Sequence, residues 1–317
     1  MCRLSTIPLP ARPKPGTYEW TKSHIIRLYN QVIGWKNEGE VTTSKHDVWS
    51  IKKLLVLDLY IKPFVKILKS KNFESWYYID PFCGSGLLRL KKKHLFPGSP
   101  LIPLFKSEEF PFDGYYFSDT DKRYLSELRK RIDRIPSSRN ANIEISNSSF
   151  QNTIPKFFTG IKPEKWKDKA YLAFLDPFGF QVDWNSMEWM LKSGPVDIIF
   201  TFMTSPINWN RSNKRTEKSL SILFGNDDWQ HLRSEQEFVD YYCSKIAQYG
   251  YINKYKAFSI DVEYLDGQRY DIILASQSPG AANVLGDIRK ALSHVTTDML
   301  DGAFSTAVGD QLDLDSF

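Results

Sequence analysis

Cysteine is scarce in this 317-residue chain: Cys2, Cys83 and Cys243 stand far apart, and no two share a CxxC spacing. Neither a disulfide framework nor a cysteine-based metal site follows from three such residues, and a reducing cytoplasm is the simplest setting. Long apolar runs are missing as well. No stretch approaches the roughly 20 residues of a membrane-spanning helix, and the polar, Pro-rich opening from Met1 to Gly16 lacks the apolar core of a secretory signal. Two nucleotide fingerprints are incomplete. Position 89 is Arg where the third glycine of Gly-x-Gly-x-x-Gly would stand, and no Gly-Lys-Ser/Thr closes a phosphate loop. A nicotinamide oxidoreductase is therefore the least favoured reading, and a nucleoside-triphosphate cradle is disfavoured.

What the chain has in quantity is apolar and aromatic surface, 42% and 15% of residues, enough for a sizeable core. The net charge of +5 is unevenly placed. Lys52, Lys53, Lys62, Lys66, Lys69 and Lys71 cluster in one stretch, Arg89 and Lys91-Lys92-Lys93-His94 in another, while Asp301, Asp310, Asp313 and Asp315 mark an acidic end. Basic stripes of this kind suit a nucleic-acid partner, although a solvated lysine face has the same look.

Periodicity predicts an α/β chain. Residues 1–43 read as a Pro-rich arm with a short helix from Lys22 to about Ile33. A long helix follows from Ser44, with Pro63 a kink point. Strands are expected at Trp76–Asp80, Tyr115–Ser118, Asn142–Ser146, Tyr171–Leu175 and Val196–Phe202, alternating with helices. Ala257–Tyr264 and Tyr270–Ala275 form a hairpin about Asp266-Gly267. Five crossovers ending in an antiparallel pair describe a mostly parallel, doubly wound sheet with a reversed edge strand. The domain so defined spans 44–298, with 299–317 an acidic tail.

In such sheets ligands lie beyond the carboxyl ends of the strands. The first strand ends in Asp80-Pro81-Phe82-Cys83-Gly84-Ser85-Gly86, where two glycines let the backbone approach a ligand. The second ends in Asp119, placed to accept from ribose hydroxyls, with Asp121 a helix cap; either acid could serve as the cap. Ser148 ends the third. The fourth ends in Asp176-Pro177-Phe178-Gly179-Phe180. Arg211, past the fifth, is placed for a phosphate or a cofactor carboxylate, or is simply exposed.

Asp-Pro-Phe-x-Gly-x-Gly resembles the first motif of S-adenosylmethionine-dependent methyltransferases, and the reversed hairpin is similar to that of their class I fold. The resemblance implies S-adenosylmethionine as cofactor, held by Asp80, Phe82, Gly84, Gly86, Asp119 and Ser148. Asp176-Pro177-Phe178 is similar to the Asp/Asn-Pro-Pro-aromatic motif of methyltransferases acting on the amino groups of bases. It implies Asp176 and a backbone carbonyl as acceptors for the target NH₂, with Phe178 or Phe180 stacking on the base. The motif departs from the family pattern in its second Pro and in its aromatic position. Without the glycine loop, an Asp-Pro turn closing a buried strand would account for it.

Lys45-His46, Tyr78-Ile79-Asp80-x-Phe82-x-Gly84-x-Gly86, Gly98-Ser99-Pro100 and Phe174-Leu175-Asp176-Pro177-Phe178-Gly179 together resemble the three-Cys-motif partner protein family over roughly residues 44–290. That resemblance implies a Rossmann-like methyltransferase domain and, as protein partner, a separate protein with a radical-type three-cysteine motif. Lys45, His46, Lys91, Lys92 and Arg211 are the candidate substrate or phosphate contacts; His46 is read as a base, a phosphate contact or a surface helix-start residue. Two functions follow: N-methylation of a nucleic-acid amino group, or a cofactor-binding partner subunit without methyl transfer.

Overall fold

The computed structural model describes residues 13–35, 39–44, 47–91, 94–159, 168–250, 253–263 and 269–314. The candidates Lys45, His46 and Lys92, and the turn at 264–268, lie outside them.

Helix α1 (Tyr18–Asn30) is capped by Thr17, whose hydroxyl accepts from the Trp20 amide. It starts four residues earlier than its periodicity predicts. A two-residue strand β1 (Thr42–Thr43) precedes the long helix α2 (Asp47–Ser70), which continues through Pro63. α2 buries Ile51, Leu55 and Leu59 on the predicted face, and also Val56, Leu57 and Tyr60, because it is covered on more than one side. It leads into β2 (Ser75–Asp80), followed by β3 (Leu87–Arg89) and β4 (Leu95–Pro97). Strands β1, β3 and β4 form a small separate sheet that periodicity does not reveal, since each has only two or three residues.

The main sheet continues with β5 (Gly114–Asp119), β6 (Ile143–Asn147), β7 (Lys169–Leu175), β8 (Val196–Phe202), β9 (Lys256–Glu263) and β10 (Arg269–Ser276). Its order is β6-β5-β2-β7-β8-β10-β9, parallel except where β10 runs antiparallel to both neighbours. The reversed strand is therefore not the edge strand. β10 sits inside, between β8 and β9, because its run from Tyr270 to Ser276 is buried throughout, whereas β9 keeps exposed positions.

One core cluster lies between the sheet and α1, α2, α3 (Leu101–Phe105), α4 (Lys122–Ile132), α10 (Ala281–His294) and α11 (Thr297–Leu314). The other lies against α5 (Phe150–Thr159), α6 (Trp184–Lys192), α7 (Thr204–Asn210), α8 (Lys214–Phe224) and α9 (Glu235–Ala247). The two segments set apart as arm and tail contribute to the first cluster. Ile25, Leu28 and Tyr29 of α1 and Met299, Leu300, Ala303 and Phe304 of α11 are buried there, and the rings of Tyr29 and Phe304 lie 4.7 Å apart. The aspartates of the acidic end obscure this apolar stripe in the sequence.

Candidate functional site

Counted along the main sheet alone, the strand order is 3-2-1-4-5-7-6. It reverses at β2, so a crevice opens where β5 and β7 diverge from it. A cavity of about 650 Å³ occupies that crevice, bounded by the turn after β2, the ends of β5 and β7, and the first turns of α2.

The turn is built on a buried acid. Asp80 is wholly inaccessible, and its Oδ1 accepts from the Phe82 amide at 3.2 Å. Burial pushes its carboxyl up to about 7, with Asp176 and Asp119 adding repulsion. Asp80 does not line the cavity; it braces the loop from beneath. Gly84 and Gly86 have φ of 56° and 81°, which a side chain rarely adopts. The Gly98 amide donates to the Gly86 carbonyl at 2.8 Å, and a Cβ on Gly98 would come within 3.1 Å of that backbone. The Gly98-Ser99-Pro100 turn therefore backs the loop, with Pro100 as the N-cap residue of α3.

Asp119 completes the grip. Its Oδ2 accepts from the Gly84 amide at 3.0 Å and its Oδ1 from the Asp121 amide at 2.8 Å. Asp121 caps α4 through the Arg123 amide at 2.9 Å. The glycine loop and the carboxylate ending β5 thus meet on one cavity. Each carboxylate oxygen retains a lone pair for a further donor. Phe82 lines the same wall and stacks on Phe150, the ring centroids 5.6 Å apart. Ser148 does not reach the cavity: its amide bonds to the Asp119 carbonyl, and Ser149 lines the wall instead.

Across the cavity stand Asp176, Pro177 and Phe178. Phe178 is 82% exposed and lines the cavity, whereas Phe180 packs against the second core cluster. The Phe178 amide donates to Gln181 Oε1 at 3.0 Å, and Gly179 turns the chain with φ 78°. Asp176 is not bare. Lys53 of α2 donates to its two oxygens at 2.8 and 2.6 Å, and the same ammonium lies 4.6 Å from the centre of the Trp49 ring. A separation of 123 residues hides this pair from the sequence. The only local signal is the i, i+4 spacing of Trp49 and Lys53 on one helical face. Thr42, Thr43 and Ser44 also line the cavity, carried there by the small sheet.

Two expected anion contacts lie elsewhere. Lys91 gives its backbone amide to Asp47 at 2.9 Å and does not border the cavity. Exposed Arg211 donates through Nη1 to the carbonyls of Arg233 and Leu232, at 3.0 and 3.4 Å, which pins the segment before α9.

Sheet order, inserted antiparallel strand and glycine turn together define the Rossmann-like class I methyltransferase fold. Solved structures with that architecture align over most of the chain. An O-methyltransferase from Bacillus cereus in complex with SAH is 12% identical with a TM-score of 0.38, covering 83% of this chain and 92% of its own. Trm1 from Pyrococcus horikoshii with S-adenosyl-L-methionine is 12% identical with a TM-score of 0.39, covering 77% and 61%. Protein LPL1258 from Legionella pneumophila is 10% identical with a TM-score of 0.46, covering 76% and 90%. No protein-family model matches the chain, and no curated protein matches its sequence. At these distances the functional reading rests on the geometry of the site. No helix among the described residues is long and apolar enough to cross a membrane, and among them no group of three His, Cys, Asp or Glu could hold a metal ion.

Proposed function

We propose that this protein is an S-adenosylmethionine-dependent methyltransferase that N-methylates an amino group of a nucleic acid. The observation carrying the reading is the clasp of the Gly84 amide on Asp119 Oδ2, beside a cavity whose other wall is Asp176-Pro177-Phe178. The residues fit the cofactor. Gly84 lines the cavity with φ 56°, a conformation that favours glycine, and its bare backbone leaves room there for a ligand. Asp119 has lone pairs free for ribose hydroxyls, and the cavity volume lies within the range for a ligand of nucleoside size. Phe82, Gly84, Gly86 and Asp119 would hold the cofactor from that wall, with Asp80 fixing the loop's shape.

When bound, S-adenosylmethionine supplies an electrophilic methyl group on a sulfonium. The rest falls to the chain. An amino nitrogen conjugated to a base is a poor nucleophile, so alignment and dispersal of its developing positive charge matter most. Asp176 accepts a hydrogen bond from the amino N–H and orients the nitrogen, Pro177 stiffens the turn, and Phe178 stacks on the ring. The lysine-rich stretches supply phosphate contacts; Lys45, His46 and Lys92 remain candidates for them, and Lys91 has an exposed side chain.

Calorimetry with S-adenosylhomocysteine and NAD tests the cofactor, with binding of the first and not the second expected. Transfer of a radiolabelled methyl group to DNA and RNA oligonucleotides tests the reaction. Asp176→Ala should abolish it, and full activity in that variant would refute the assignment. One observation favours a second reading, a cofactor-binding subunit without transfer that serves a three-Cys-motif partner: Lys53 already engages both Asp176 oxygens. Co-purification with such a partner, with no methylation by the isolated chain, would establish it.

A further inference from the structure

We propose that Lys53 is the positioning residue of the acceptor side, and that its charge selects a neutral, conjugated amino group over a cationic amine; the inference rests on the methyl-transfer reading above. Three carboxylates crowd the strand ends, and each is secured differently. Asp80 is buried and holds the Phe82 amide, while Asp119 is fixed by the amides of Gly84 and Asp121. Among the described residues, Asp176 has no backbone brace of that kind. Among the described residues, its oxygens are both partnered by the Lys53 ammonium.

Lys53 is well placed for the task. It projects from α2, whose neighbouring Leu54, Leu55 and Val56 are packed into the core, so its base does not move. Its side chain is 12% exposed and its ammonium is held between the Trp49 ring and the carboxylate. The ammonium reaches both oxygens from a single nitrogen and so fixes the direction of the Asp176 carboxylate. Each oxygen still has a lone pair for an incoming N–H. Without Lys53 the carboxylate would lose that anchor in a partly solvated cleft, and a misplacement of about 1 Å can cost on the order of a hundredfold in rate.

The charge argument is independent of the positioning one. Among the described residues lining the cavity, Lys53 is the one Lys or Arg, against Asp119, Asp121 and Asp176. An unpaired Asp176 would attract an alkylammonium such as a protein lysine or a polyamine. Paired, it is neutralised, and a second cation beside Lys53 is repelled. What the pair can still accept is a hydrogen bond from an uncharged NH₂, as on a nucleobase.

The test is a double-mutant cycle with Lys53→Met, Asp176→Asn and the double variant, read by radiolabelled methyl transfer to an oligonucleotide under single-turnover conditions. Lys53→Met should lose roughly a hundredfold in kcat with little change in KM. Lys53→Arg, which keeps the charge and both donors, should recover most of that loss, and it answers the question if the Met variant fails to fold. The double variant should be no slower than the slower single one, because the two residues act as a unit. Lys53→Met should also gain activity toward spermidine or a lysine-rich peptide relative to the oligonucleotide. Multiplying losses, or a loss confined to KM, would overturn the positioning role; an unchanged preference among acceptors would overturn the charge role. Wild-type protein that binds S-adenosylhomocysteine yet methylates no oligonucleotide would instead sink the reading on which both depend.

Discussion

At the scale of single residues, side chains that shape the site separate from those that only hold the fold. Asp119→Ala removes the acceptor for two backbone amides and unclasps the glycine loop. Hydrogen bonds to a charged group are worth about 1.5–3 kcal/mol, so affinity for S-adenosylhomocysteine should fall roughly 10- to 100-fold by calorimetry. Phe178 presents the opposite case. With 82% of its surface in solvent, Phe178→Ala should change stability by less than about 0.5 kcal/mol. Stacking on a base contributes about 1–3 kcal/mol, so the oligonucleotide KM should rise while the melting temperature holds. An equal loss of melting temperature would mean the ring is structural.

At the scale of elements, one buried carboxylate ties three helices together. Asp58 of α2 is fully buried and receives His24 Nδ1 at 2.6 Å and Arg27 at 2.8 Å from α1, and Lys106 at 2.7 Å from the residue after α3. Despite its burial, the charges of Lys106 and Arg27 and the hydrogen bond from His24 hold its carboxyl well below the usual range, while burial pushes the His24 imidazole down. Asp58→Ala leaves Lys106 buried without its counter-charge, and breaking such a pair costs about 3–5 kcal/mol. Chemical denaturation should show a loss of that size, with cofactor affinity largely kept because the cluster lies away from the cavity. Deleting α11 should be worse. It strips cover from Tyr29 and His94, which pack on Phe304, and circular dichroism should then report a chain that no longer melts cooperatively.

At the scale of the whole molecule, buried acids set the pH dependence. The folded pKa of Asp80, about 7, lies above its unfolded value near 3.8, so the folded state holds a proton that the unfolded state has released. Its contribution is therefore fully present below about pH 4 and is lost as pH rises to about 7. Asp197, raised to about 6 by desolvation while accepting from the Tyr60 hydroxyl at 2.7 Å, acts in the same direction. Asp58 and His24, with lowered values, act in the opposite sense and weaken the fold as pH falls. For Asp80 the penalty above pH 7 is on the order of 4 kcal/mol. Asp80→Asn keeps an acceptor for the Phe82 amide and removes the titration. Thermal melts between pH 5 and 8 should therefore fall for the wild type and be flatter for that variant; identical slopes would show that Asp80 does not titrate in this range.

By itself the sequence determined the alternation of strands and helices and the residues that end each strand. Both are local: an apolar run such as Tyr171–Leu175 requires cover on both faces, and the glycines after Asp80 mark a turn through their own backbone freedom. The Asp121 cap and the β9–β10 pairing were legible for the same reason. Only the tertiary structure decided that α1 and α11 close one core, that β10 lies inside β9, and that Asp80 and Ser148 stand back from the cavity while Phe178 rather than Phe180 faces it. It alone joined Lys53 to Asp176. Such facts depend on which distant surfaces meet, and the burial and Coulomb energies that choose among them belong to contacts between residues far apart along the chain, which no local pattern encodes.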